Sequence, residues 1–256
     1  GDFSNATTAD FADDAEAAVN YIASRPDLKE MSIGLIGHSE GGMIAPMVAS
    51  RNKSVKFIVL AAGPAIPIAE LMVQQNKDVA RLMGISDETI MKSVETNTKI
   101  FAAINQYKNL SSASYDKKID SMVRTEVSAK PSSELGGKTI DEVVTRITST
   151  LKNPWMRYFI SFDPTYYLTK IHCPVLALNG TLDSQVACQT NLTGIKKSLQ
   201  KAGNKKFEIV PLEGLNHLFQ KAKTGSPQEY EQIDETINPA VLQKITSWIK
   251  AHDREY

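Results

Sequence analysis

The run Gly37-His38-Ser39-Glu40-Gly41 constrains this chain more than any other. It spells G-x-S-x-G. An apolar stretch, Met31-Ser32-Ile33-Gly34-Leu35-Ile36, precedes it, and a helix-forming stretch from Gly42 to Arg51 follows. Strand, sharp turn and helix in that order make a nucleophile elbow. The turn is too tight for bulky neighbours, which accounts for a glycine on each side of the serine. It lifts the Ser39 hydroxyl above a sheet. It also aims the Glu40 backbone N–H at the start of the helix, where an oxyanion can be stabilised. Without that strand and helix, the same five residues would be an ordinary Gly-rich turn.

The remaining periodicities supply a scaffold. Thr7, with Asp10 three residues on, reads as an N-cap in an approximate capping box. Phe11, Ala15, Ala18, Val19 and Ile22 form the stripe of a helix that Pro26 ends. Residues 31–37 read as a strand apolar on both faces, as in a parallel sheet. Pro46 falls inside the helix after the elbow, at a cost in hydrogen bonding. Val55 to Ala61 is a second strand, Pro174 to Asn179 a third and Lys206 to Val210 a fourth. Helices are expected from Asn191 to Ala202, closed by Gly203, and from Asn238-Pro239 onward. Strands alternating with helices predict an α/β fold, a mostly parallel sheet of about four strands covered on both faces.

Residues 64–165 differ. They are rich in Lys, Ser, Thr and Asn, carry helical patterns at Ile85–Tyr107 and Ile140–Leu151, and show no strand pattern. The expected organisation is a sheet core from 1–63 and 166–256, with 64–165 as a helical cap or lid. It leaves after the second strand and returns before the third, so it should lie over the carboxyl ends of the strands. Met72, Trp155, Met156 and Phe159 are its candidate pocket residues, although core packing is the commoner role for each.

A serine nucleophile needs a base, and the base needs an orienting carboxylate. Four histidines are available. His38 lies inside the elbow, where its side chain is expected to point away from the base position. His172 precedes the third strand, at the wrong end of the sheet, because sites in such sheets lie at the carboxyl ends. His252 is in the polar tail of the last helix. His217 follows the fourth strand and is the predicted base. Asp183, in the turn directly after the third strand, is the predicted acid. Asp163 competes, but it precedes that strand and reads as a capping or hinge residue. The chain order Ser39, Asp183, His217 follows.

These residues resemble those of the α/β-hydrolase superfamily, in particular bacterial serine hydrolases related to esterases, acyl-CoA thioesterases and serine aminopeptidases. The resemblance rests on Gly37 to Gly42, on Cys173 to Gly180 leading to Asp183, and on Leu215-Asn216-His217-Leu218-Phe219. Pro154 to Phe159, followed by Phe162-Asp163-Pro164, resembles the segment by which such enzymes leave the lid and return to the core. The resemblance implies a Ser-His-Asp triad, an acyl-enzyme and an oxyanion hole that includes the Glu40 N–H. It also exposes a departure. The family's sheet has eight strands with the elbow after the fifth, whereas here the elbow follows the first recognisable strand. The chain therefore looks like the carboxyl-terminal part of a larger hydrolase. The missing strands would come from another chain or a second copy, since an apolar strand edge invites pairing.

Composition excludes several alternatives. Basic and acidic residues balance at 29 each, so no charge field argues for nucleic acid or a membrane surface. No apolar run reaches the roughly 20 residues needed to span a bilayer. Cys173 and Cys188 form neither a disulfide framework nor a metal set. No cofactor or metal is implied. The expected substrate is a small ester, amide or thioester. The lid carries neither an acid cluster for a peptide amine nor a basic patch for a CoA phosphate, which favours a carboxylic ester. The sequence leaves the compartment open between cytoplasm and an exported location.

Overall fold

The computed structural model describes residues 2 and 4–252. Four strands, β1 (Ile33–His38), β2 (Val55–Ala61), β3 (Val175–Gly180) and β4 (Phe207–Leu212), pair in sequence order in one sheet, every pair parallel. Alternation along the strands sorts side chains to two faces. Ile58, Leu60, Val175 and Ala177 join the larger apolar core. Phe57, Val59, Leu176 and Leu178 join a second core on the opposite face. Burying each such side chain fully is worth about 1.5–3 kcal/mol, so β2 and β3 anchor the fold.

β1 departs from the two-faced burial expected of it. Among the described residues it is an edge strand whose partner is β2, and Ile36 is 59% exposed. Its inward residues Ile33 and Leu35 still pack on the larger core.

Helix α1 (Thr8–Ser24) begins where the sequence indicates, with the Thr7 N–H and hydroxyl both donating to the Asp10 carboxylate at 2.7 and 2.6 Å. Those two bonds hold Asp10 below its ordinary carboxylate range. α1 packs on α2 (Gly41–Ala49), the helix after the elbow, which keeps Pro46 in its interior. Six helices then separate β2 from β3: α3 (Ile68–Leu82), α4 (Asp87–Tyr107), α5 (Ser112–Ser128), α6 (Ile140–Leu151), α7 (Pro154–Ile160) and α8 (Thr165–Leu168). The ends of this excursion meet, because the Ile68 N–H donates to the Phe162 carbonyl at 3.0 Å. α9 (Cys188–Lys201) covers β3 and β4. α10 (Pro239–His252) closes the second face, with Trp248 edge-on to Phe57 at 6.0 Å. Among the described residues no helix is long and apolar enough to cross a membrane.

Candidate active site

The carboxyl ends of β1, β3 and β4 carry the predicted site residues. Ser39 follows β1 directly and has φ +54°, the left-handed region that a non-glycine residue occupies at a cost of about 1–3 kcal/mol. Its N–H donates to the Ala61 carbonyl at 2.9 Å, which pins the turn to the end of β2. A β-carbon on Gly37 would lie 2.0 Å from the Gly41 carbonyl oxygen, and one on Gly42 would lie 2.6 Å from the Gly63 α-carbon. Gly37 and Gly42 are therefore the residues the turn requires. At Gly41 the space is open, so the expectation that both flanking glycines serve steric ends holds for one side only.

Glu40 precedes the first turn of α2. Its carbonyl accepts from the Met43 and Ile44 amides at 2.8 and 3.1 Å. Its own N–H has no acceptor among the described residues, the usual state of a donor at a helix start. That leaves a donor one residue after Ser39, at the N-terminal end of α2, where negative charge is favoured.

Asp183 and His217 meet. Asp183 Oδ2 lies 2.8 Å from His217 Nδ1, with both side chains almost fully buried. The other carboxylate oxygen, Oδ1, accepts from the Gln185 and Val186 amides at 2.8 Å each. Three donors thus satisfy a carboxylate that would be costly to bury alone. The His217 loop is built by Asn216, which is wholly buried and whose Oδ1 takes the Leu218 and Gln220 amides at 3.0 and 2.9 Å. Asp163, the competing acid, lies just before α8 and accepts from the amide and hydroxyl of Thr165 at 2.9 and 2.7 Å. His172 is exposed before β3, and His252 stacks on Trp248.

His38 corrects the sequence reading. Its ring does not point away. It stands 4.8 Å from the His217 ring, and its Nε2 bonds the His217 carbonyl at 2.8 Å. Desolvation by this packing lowers its pKa although one edge remains open to solvent. A neutral His38 donates its N–H to the carbonyl and holds the base loop against the elbow. Among the described residues no hydrogen bond joins the Ser39 hydroxyl to His217. Such contacts are often long before substrate binds.

Comparison with known proteins fits this geometry. Residues 15–132 match the family described as BAAT / acyl-CoA thioester hydrolase C terminal. Over 241 residues the chain is 24% identical to esterase EstD of Thermotoga maritima, covering 93% of this chain and 47% of that protein. These matches support a place for the chain in the α/β-hydrolase superfamily. It spans about half the length of this curated relative. Solved structures with a similar chain path include an esterase from Thermogutta terrifontis with malate bound, at 16% identity and TM-score 0.47 over 97% of this chain and 74% of that one. A carboxylesterase of Nitrososphaera gargenis gives 16% identity and TM-score 0.48 over 100% and 76%.

Two clefts flank the start of α7. The one beside the elbow, about 310 Å³, is lined by Ser4, Ala6, Phe11, Glu40, Asn153 and Trp155. A larger one of about 490 Å³, on the side of α5 and α8, includes Tyr115 and Tyr158 but not Ser39, Glu40, Asp183 or His217. Burial pushes both phenols up to about 12. The smaller cleft reaches the turn at Ser39 through Glu40 and, like the larger one, is not lined by Ser39, Asp183 or His217. Of the candidate pocket residues only Trp155 lines it; Phe159 stacks on Trp155 at 4.7 Å and, like Met72 and Met156, packs on the larger core. Sequence reasoning missed Asn216, the His38 contact and the side chain of Glu40. A polar residue three or fewer positions from a predicted catalytic residue is the signal that would have found them.

Proposed function

We propose that this chain carries the catalytic centre of a serine hydrolase acting on a carboxylic ester. The buried Asp183–His217 pair, 2.8 Å apart at the same sheet end as a strained Ser39, supports this reading most. Asp183 holds the Nδ1–H tautomer, leaving Nε2 to take the Ser39 proton as the hydroxyl oxygen attacks the carbonyl carbon. The Glu40 N–H donates to the oxygen that becomes negative, a contact typically worth about 3–4 kcal/mol. His217 then returns the proton to the leaving alkoxide, and water repeats the sequence on the acyl-enzyme. Helices α3–α8 serve as the lid over this centre, and no cofactor takes part.

A thioester is the second reading, favoured by the family matched over residues 15–132. An aminopeptidase and a non-catalytic binding module are weaker alternatives. Hydrolysis of short p-nitrophenyl esters, acyl thioesters and aminoacyl amides separates these substrates, and activity confined to amides removes the ester reading. A fluorophosphonate probe should label Ser39 in the wild type and fail in Ser39→Ala and His217→Ala. Absence of labelling in the wild type, with the strands that complete the sheet present, would sink the catalytic reading.

We also propose that the free edge of β1, where Ile36 is exposed, pairs with strands from another segment or a second copy. A stable monomer in sizing with no added chain would refute it.

A further inference from the structure

The Glu40 side chain is unexplained by the mechanism above. A carboxylate one peptide from an oxyanion donor opposes the negative charge that develops there, so its presence calls for another role. Its Oε1 accepts from the Thr8 hydroxyl and from the Trp155 indole N–H, both at 2.7 Å. Thr8 opens α1 and is wholly buried. Trp155 is the second residue of α7, where Asn153 caps the helix by accepting from the Trp155 amide at 2.8 Å. The Trp155 ring stacks on Phe159 at 4.7 Å with 18° between planes. One oxygen atom therefore joins the elbow, α1 and α7, three segments far apart in sequence.

We propose that the Glu40 carboxylate is a positioning residue for the oxyanion donor and the adjoining cleft. Held at its tip by two donors, the side chain cannot rotate freely, so the direction of the Glu40 N–H is fixed. The same bonds seat α7 as the wall of the cleft beside Ser39. The two donors draw the negative charge away from the oxyanion position, towards Thr8 and Trp155. Without the carboxylate, a hydroxyl and an indole N–H lose their acceptor and α7 loses its tie to the elbow. The role needs an acceptor rather than a charge, so a glutamine oxygen can fill it.

The inference rests on the serine-hydrolase reading, and the test separates the two. Glu40→Ala, Glu40→Gln, Trp155→Phe and the double variant Glu40→Ala/Trp155→Phe are compared with wild type. Hydrogen exchange of the indole N–H groups is followed by NMR. The chain has two tryptophans, so Trp248 is the internal reference. Exchange at Trp155 should accelerate about tenfold or more in Glu40→Ala, with Trp248 unchanged, and return towards wild type in Glu40→Gln. On p-nitrophenyl butyrate, Glu40→Ala should lower kcat about tenfold with a smaller change in KM. Glu40→Gln should recover most of that loss, and the double variant should lose little more than Glu40→Ala alone. Wild-type exchange and kcat in Glu40→Ala would overturn the proposal, as would failure of Glu40→Gln to recover either. If the wild type, paired along the β1 edge as proposed above, does not label with fluorophosphonate, the hydrolase reading fails. Indole exchange then decides alone whether the carboxylate seats α7.

Discussion

In β3 every residue from Val175 to Gly180 is buried, whereas the 21-residue α4 buries only Ile90, Ile100, Phe101, Ala103 and Ile104. The strand has no free face, so each of its positions is constrained. The helix needs one apolar stripe and leaves the rest to solvent, where Lys92 pairs with Glu88 at 3.1 Å and Lys99 with Glu95 at 2.9 Å. The elbow is tighter still, since a single added carbon at Gly37 or Gly42 meets backbone. The comparison separates two kinds of specification. The sheet and its turns fix where atoms sit to within ångströms, and the helices between β2 and β3, α7 with its bond to Glu40 aside, are constrained along one apolar stripe.

Substitutions can break that contrast or sharpen it. The largest effect belongs to the sheet rim. Asp183→Asn keeps the shape but favours the wrong imidazole tautomer, and kcat should fall about 10⁴-fold in a steady-state ester assay. A loss under tenfold would transfer the acid role elsewhere. Next is the elbow itself. Gly42→Ala should cost about 1–3 kcal/mol in denaturant unfolding through overpacking. Gly41→Ala, one residue away in open space, should be neutral or stabilising by up to about 1 kcal/mol. Equal effects at both positions would erase the distinction drawn here. On the helical side, Lys99→Ala should leave the unfolding midpoint close to that of the wild type, because Lys99 makes its ion pairs at the surface.

The smallest effect is a dependence on pH. His38 has a lowered pKa, first from desolvation, with the neighbouring His217 acting in the same direction and the bond to its carbonyl opposing. The unfolded chain then binds the proton better than the folded one. Stability should be full above the ordinary imidazole pKa of about 6.5 and decline as pH falls below it. His38→Asn should remove that part of the decline in unfolding curves measured from pH 8 to 5. An unchanged slope would assign it to other groups.

Much of this was legible in the sequence because burial leaves period-two and period-3.6 traces. Val55–Ala61 and Ile140–Leu151 fall where the apolar pattern puts them. The third strand, the elbow and the Asp183–His217 contact follow from the same logic, since chain order and sheet end leave few candidates. The exposed face of β1 was not legible, because an apolar hexapeptide does not reveal how many neighbours it has. The orientation of His38 was missed for a different reason. Alternation says which face a strand residue takes, but not that the loop after β4 folds back to meet it. The bonds from Glu40 to Thr8 and Trp155 depend on the packing of α1 and α7, and no short-range pattern records that.

The strands pair in the order in which they occur along the chain. During synthesis, the alcohol of residue 39 therefore leaves the ribosome well ahead of the imidazole that would arm it. The six intervening helices and β3 must emerge before that ring can dock. A nascent chain halted anywhere in those helices holds Ser39 without the buried Asp183–His217 pair.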